Sequence, residues 1–427
     1  MNLYTGKSEE GKRLYASLKT EYKKICAKNL KLDMSRGKPS AEQLDLSMDM
    51  LDVIDSHFEG QSESGDDIRN YGQLDGIMEA KKLFGSLLGA KPEEVIVGGN
   101  STLTLLYNTI VHGLWHGFAD SERPWIQCQR VKFLCPTPGY DRHFAICEHF
   151  GIEMIPVAMK KDGPDMDAIE QIAGSDKAVK GIFCVPKYSN PQGITYSEEV
   201  VTRFAKLKTA APDFKIFWDN AYCVHHLTEN GEEIPDLLEE AKKYSTQDHV
   251  LMFTSTSKIT FPGAGVAAMA ASVHNIEYLK HLMGIQMINS DKINQLRHVR
   301  YFKDLAGIKA HMKRHAEILK PKFDAVAEIL QRELGGLGIA SWTIPKGGYF
   351  ISVDTLEGCA KRTVELCAKA GVKLTEAGAI YPYQKDLRDS NLRLAPTFPP
   401  IEELKMAVRL FCLCIKLAAL EKVFAQE

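Results

Sequence analysis

The sequence predicts an α/β protein, in which a mostly parallel sheet flanked by helices forms a large domain and a smaller α+β unit completes the chain. Three observations predict it. A chain of 427 residues exceeds the roughly 250–300 residues at which one hydrophobic core stops growing, so two domains are expected. In the middle of the chain, short apolar runs alternate with longer helical or loop segments at intervals of about 20 to 35 residues, which describes βαβ units and a parallel sheet. Beyond about residue 275 the pattern turns helical for a long way and then ends in a mixed strand-and-helix segment.

The elements follow in order. Leu14, Leu18, Tyr22 and Ile25 recur at helical spacing, so the chain opens on an amphipathic helix. After the turn Ser35–Ser40 the sequence is irregular until a helical segment near Gly76, the apolar run Glu94–Val97 and a helix from Ser101 to His116. Strand candidates are Lys132–Cys135, Ile152–Val157, Gly181–Val185, Lys215–Trp218 and Val250–Phe253. Helices are expected after Asn275 and from Ala306 to Leu334, with the domain boundary inside that stretch near residue 320. The α+β unit runs from Gly347–Val353 to a last helix over Glu402–Phe424, ahead of which Phe398-Pro-Pro400 makes a turn.

With 53 basic against 55 acidic residues, the chain carries no field strong enough to gather polyanions, which argues against nucleic acid as a partner. The N-terminus mixes both charge signs without the apolar core of a secretory signal, and no stretch reaches the ~20 apolar residues of a membrane span. A cytoplasmic protein is expected. Its ten cysteines are scattered and mostly sit in apolar runs, Cys412-Leu-Cys414 among them, so neither disulfides nor a zinc site is expected. No metal is expected at His225-His226 either, since adjacent side chains point apart on a helix or a strand.

In open parallel sheets, ligands bind beyond the carboxyl ends of the strands. Thr254-Ser-Thr-Ser-Lys258 follows one apolar run, and a desolvated lysine loses its proton readily enough to form an imine. Trp218-Asp219-Asn-Ala-Tyr222 follows another. A carboxylate there would pair with a protonated pyridine nitrogen, although an Asx turn explains the residues equally. Asn190, heading Asn190-Pro-Gln-Gly193, offers an amide able to bond a phenolate and a carboxylate, in a segment that Pro and Gly would also make a plain turn. Gly98-Gly-Asn-Ser-Thr102 enters a helix whose N-terminus favours phosphate. Arg393, in Asn391-Leu-Arg393, is costly to bury without an anion, whether a ligand carboxylate or an internal partner.

Taken together, Tyr71, Asn100-Ser101-Thr102, Pro136-Thr-Pro-Gly-Tyr140, Asn190-Pro-Gln-Gly193, Asp219-Asn-Ala-Tyr222, Ser255-Thr-Ser-Lys258 and Asn391-Leu-Arg393 fall in the order found in fold-type I, class I/II aminotransferases, which the chain resembles over nearly its whole length. Ser35-Arg-Gly-Lys-Pro39, Lys258-Ile-Thr-Phe-Pro-Gly-Ala-Gly265 and Asn294-Gln-Leu-Arg-His look like the divergent aspartate aminotransferase subgroup related to the aminotransferase half of the MocR-type regulators. The resemblance implies a mostly parallel seven-stranded sheet. It implies an N-terminal segment (1–50) joining the small domain, a large cofactor-binding domain (51–320) and a C-terminal small domain (321–427).

The resemblance further implies pyridoxal 5'-phosphate as cofactor, held as a Schiff base by Lys258. Asp219 would hold the pyridinium proton, Asn190 and Tyr222 the ring hydroxyl, and Tyr140 would stack on the ring. Asn100, Ser101, Thr102, Ser255 and Ser257 would surround the phosphate, with Tyr71 reaching the phosphate of a neighbouring subunit in a homodimer. Gly37, Asn190 and Arg393 would meet the substrate, with Arg393 on its α-carboxylate. Arg297, ahead of Arg300 and Arg36, is the candidate for a side-chain carboxylate. One position departs from the pattern: many members carry a phosphate-binding arginine where Gly265 stands here. The activity implied is ping-pong transamination, with aspartate and 2-oxoglutarate as best guess. A carbon–sulfur β-lyase or synthase, or a non-catalytic sensor on the same fold, would share much of this sequence.

Overall fold

The computed structural model describes residue 4 and residues 7–424. Its main sheet holds eight strands in the spatial order Val95–Val97, Ala267–Ala271, Val250–Ser255, Lys215–Asp219, Val179–Cys184, Lys132–Thr137, Glu153–Lys160 and Gly163–Pro164. The strands from Val250–Ser255 to Glu153–Lys160 are mutually parallel. Ala267–Ala271 runs antiparallel to both its neighbours, and Gly163–Pro164 runs antiparallel at the far edge. The expected seven strands thus become eight, because the chain folds back after Lys160 for one two-residue ladder.

The central strands Val179–Cys184, Lys215–Asp219 and Val250–Ser255 are buried along their whole length. Helices cover both faces, so every position in these strands faces protein, and they read as unbroken apolar runs rather than alternations. Trp218 packs edge-on against Phe204 and Tyr196 on one face. Phe133, Phe183 and Phe217 form an aromatic cluster on the other.

A second core gathers both ends of the chain. Leu32–Asp33 pairs in parallel with Val372–Lys373. Ala340–Trp342, Ile351–Thr355 and Asn391–Leu394 form a three-stranded antiparallel sheet. The opening helix, Glu9–Cys26, lies along the last one, Ile401–Phe424, with the Tyr22 hydroxyl donating to the Leu366 carbonyl at 2.8 Å. The 30-residue helix Leu305–Leu334 joins the cores: Ile308 and Met312 pack in the first, Leu319 and Phe323 in the second. Among the described residues no helix is long and apolar enough to cross a membrane, and no group of three or more His, Cys, Asp and Glu is placed to hold a metal ion.

Candidate active site

The residues singled out at the strand ends converge on one cleft of about 560 Å³ between the two cores, lined by Gly37, Thr102, Tyr140, Asn190, Asp219, Tyr222, Lys258 and Arg393 among others. Lys258 lies three residues beyond the strand Val250–Ser255. Its loop is closed by a reciprocal pair: the Thr256 N–H donates to the Val266 carbonyl and the Val266 N–H to Thr256 Oγ1, both at 2.9 Å. The Lys258 carbonyl lies 3.3 Å from His225 Nε2 and accepts from the Tyr349 hydroxyl at 3.5 Å, and Gln43 Nε2 in turn donates to Tyr349 at 3.0 Å. This leaves the ammonium between two aromatic faces, 5.1 Å from the Tyr222 ring and 5.9 Å from the Tyr349 ring. Removal from water lowers the pKa of Lys258, and nearby Asp219 opposes the shift.

Asp219 ends its strand fully buried. Oδ2 lies 3.1 Å from His143 Nε2, and that ring is itself fixed by stacking on Phe183 at 4.5 Å. Oδ1 is buried with no partner among the protein atoms. An orphaned buried carboxylate oxygen costs on the order of 1–3 kcal/mol or more, so it marks a position built for a group from outside the chain. A pyridinium N–H fits that oxygen. The donor set agrees with the same cofactor: a lysine of lowered pKa, a carboxylate acceptor and two phenols. Burial first, then the Asp219 charge and others, raises the pKa of Tyr140 to about 12, and burial likewise pushes Tyr222 well up, so both remain hydrogen-bond donors at neutral pH.

Arg393, buried in the strand Asn391–Leu394, points its Nη1 at Asn190 Oδ1 (3.1 Å) and Asp141 Oδ1 (2.9 Å), and its Nη2 at Thr375 Oγ1 (3.2 Å). Its guanidinium lies over the Phe350 ring at 4.8 Å. Gly37 is required beside that ring, since a Cβ there would come within 2.5 Å of Phe350.

The residues expected around a phosphate lie at the start of the helix Thr102–Trp115. Ser101 caps it, accepting from the Thr104 N–H at 3.4 Å, a cap worth about 1 kcal/mol. Ser255 donates to Ser257 at 3.0 Å, and Ser257 to the Asn100 carbonyl at 3.4 Å, so these hydroxyls gather at one helix N-terminus. Here the departure at Gly265 has a physical reason. A Cβ on Gly265 would sit 2.8 Å from the Asn100 carbonyl oxygen, so the helix entry occupies the space an arginine stem needs. Gly265→Arg is therefore expected to weaken cofactor retention rather than strengthen it, by about tenfold in Kd for a displacement worth ~1.4 kcal/mol. Dialysis against buffer, with bound cofactor followed by absorbance, checks this.

Six expected residues do not line the cleft of this chain: Asn100, Ser101, Ser255 and Ser257 gather at the helix start whose Thr102 does line it, while Tyr71 and Arg297 have no such link to it. Tyr71 is 76% exposed on the surface. Arg297 does not line the cleft, and its Nε is buried without a partner. Arg300 instead reaches the Val53 carbonyl and the Phe58 ring. Arg36 does line the cleft, together with Lys38, Arg142 and Lys373, so within one chain it is better placed than the arginine ranked ahead of it. Sequence reasoning missed His143 and Asp141. His143 carried a usable signal, one helical turn beyond Tyr140 and so on the same face; Asp141 carried none, because its partner is 252 residues away.

Comparison with known proteins agrees with this geometry. The profile of the family described as aspartate amino-transferase matches residues 7–427. A putative aminotransferase of Mycolicibacterium smegmatis is 50% identical over 95% of both chains. The aspartate aminotransferase of Corynebacterium glutamicum is 45% identical over 95% of this chain and 94% of its own. The crystal structure of an aspartate transaminase from that organism superposes with a TM-score of 0.96 at 43% identity, covering 99% of each chain. A match spanning both cores and every strand end that feeds the cleft leaves one assignment: the chain belongs to the aspartate aminotransferase family, pyridoxal-phosphate-dependent aminotransferases of fold type I.

Proposed function

We propose that this aminotransferase takes its amino group from aspartate and delivers it to 2-oxoglutarate in two half-reactions at the Lys258 cleft. The observation that carries the choice is the distribution of charge. One buried arginine, Arg393, lines the cleft, and Arg36, Lys38, Arg142 and Lys373 add further cations to a lining whose carboxylates are Asp141, Asp219 and Glu376. A substrate with two carboxylates finds a cationic group for each, which a monocarboxylate cannot use. The relatedness to the Corynebacterium enzyme named for aspartate supports the same choice.

When bound, pyridoxal phosphate supplies an electron-accepting pyridinium ring that stabilises negative charge at the substrate Cα. Lys258 anchors it and, once free, takes the proton from that carbon. Asp219, oriented by His143, holds the ring nitrogen's proton, while Asn190 and Tyr222 donate to the ring oxygen and Tyr140 covers the ring face. Asn100, Ser101, Thr102, Ser255 and Ser257 receive the phosphate. Arg393, with Gly37 leaving room beside Phe350, orients the α-carboxylate. Tyr71 and Arg297, both outside their own chain's cleft, belong in this reading to the cleft of a second copy, making the working unit a cytoplasmic homodimer. The same reading divides the chain into an N-terminal segment of the small domain (1–50), a large domain (51–320) and a C-terminal small domain (321–427), whose outermost residues 1–3, 5–6 and 425–427 lie outside those described.

A panel of amino donors with 2-oxoglutarate tests the proposal. Aspartate is expected to exceed alanine and phenylalanine in kcat/KM by about 10²-fold or more, the scale of one well-made charged contact. A monocarboxylic donor matching aspartate would contradict it.

A further inference from the structure

Asp141 has no part in the roles assigned above, yet it lies on the residue that grips the substrate. It is the first residue of the helix Asp141–Phe150, and its Oδ1 accepts from Arg393 Nη1 at 2.9 Å. Nη1 also donates to Asn190 Oδ1 at 3.1 Å, so both of its hydrogens are engaged. Thr375 Oγ1 takes one hydrogen of Nη2 at 3.2 Å, while Nε is buried with no partner. A carboxylate arriving at Arg393 therefore either takes Nη1 from Asp141 or shares the guanidinium with it. In both cases the negative charge of Asp141 opposes the arriving one.

The two partners differ in freedom. The Arg393 side chain is 7% exposed, fixed under Asn190 and Thr375 and over Phe350, whereas that of Asp141 is 32% exposed and lies at a helix start. Arg393 cannot leave; Asp141 can turn toward water. A buried guanidinium without an anion is strongly unfavourable, so a resident carboxylate keeps the site formed while no substrate is present.

Resting on the reading of Arg393 as the α-carboxylate grip, we propose that Asp141 is an internal competitor of the substrate: a carboxylate that pairs Arg393 in the free enzyme and is displaced by the α-carboxylate of either the amino donor or the keto acid. It sets the threshold an anion must exceed. A dicarboxylate with a second cationic contact passes; small anions such as chloride or acetate, which offer Arg393 no more than Asp141 does, are turned away. Because both half-reactions use the same grip, the competition acts on both substrates equally.

Asp141→Asn keeps an acceptor oxygen and removes the charge. It is expected to lower KM for aspartate and for 2-oxoglutarate by the same factor, roughly tenfold, the scale of one charge-assisted hydrogen bond. The Kd of the non-reacting dicarboxylate succinate, read from the absorbance of the loaded enzyme without turnover, falls in parallel. Chloride then inhibits at concentrations that leave the wild-type enzyme untouched. Asp141→Ala, which leaves no acceptor, follows the same direction, and Asp141→Glu restores wild-type behaviour. Arg393→Gln tests the grip itself. If it leaves KM and succinate binding unchanged, the grip is elsewhere and the reading of Arg393 falls. If it weakens both while Asp141→Asn leaves KM unchanged or raises it, Asp141 supports the arginine rather than competing for it, and the proposal alone is overturned.

Discussion

Lys258→Ala is expected to lower kcat/KM by about 10⁴-fold or more, through loss of the proton carrier at the substrate Cα together with the covalent anchor. In free energy that is more than ~5 kcal/mol of transition-state stabilisation, which no neighbouring group can supply. The closest candidates, Tyr222 and Tyr349, are phenols whose pKa values are raised by burial, so they do not accept a proton at neutral pH. The fold should survive, because the loop is held by its backbone bonds at Thr256, Val266 and the Lys258 carbonyl rather than by the ammonium. A Tm within a few degrees of wild type, measured alongside activity, keeps loss of chemistry separate from unfolding.

The lowered pKa of Lys258 adds a pH dependence whose sign follows directly. A lysine whose pKa lies below the ordinary value of about 10.4 becomes neutral, and nucleophilic, at lower pH. The rate at which cofactor-free enzyme captures pyridoxal phosphate is therefore expected to rise with pH through a midpoint below that of free lysine, and stopped-flow absorbance reads it. A midpoint at or above the free value would mean that Asp219, which pulls the other way, outweighs desolvation.

Asp219→Asn carries the second large effect, a fall in kcat of about 10²–10³-fold, the scale seen when one preorganised electrostatic partner is removed from a buried site. The substitution is nearly isosteric, so the contact with His143 at 3.1 Å and the stacking of that ring on Phe183 have no steric reason to change. What changes is the unpartnered oxygen. The carboxylate offers a charged acceptor to the ring nitrogen; the amide offers a neutral acceptor or an N–H that meets it as a second donor. Asparagine at this position should also shift the absorbance of the bound cofactor, which a merely structural residue would not do. Unchanged kcat and spectrum would remove Asp219 from the account.

The parts of this molecule legible in the sequence were those where a local pattern and a local consequence coincide. Strands buried on both faces, such as Lys215–Asp219, read as unbroken runs of large apolar residues. The polar residues just after them read as ligands because parallel sheets place ligands there. Where the signal was weak, the physics was non-local. Ala267–Ala271 went unseen because four alanines and a methionine carry little strand preference, and the segment becomes a strand only between two partners. Leu32–Asp33 and Gly163–Pro164 are strands by pairing alone, too short to show a period. Around the cleft, Lys258 and Asp219 stood at strand ends and could be named, whereas Gln43, Tyr349 and Asp141 act through partners 306, 91 and 252 residues away. Arg297 shows the limit from the other side: its motif was recognisable, yet its side chain does not line the cleft of its own chain.

The central claim is that the cofactor attaches to Lys258 and nowhere else. Reducing the loaded enzyme with borohydride fixes the attachment permanently, and proteolysis with mass spectrometry then locates it. The account predicts one modified peptide per chain, carrying the reduced cofactor on Lys258. A label on another lysine, on buried Lys187 for instance, or an enzyme that stays active after reduction with no labelled peptide, would contradict it.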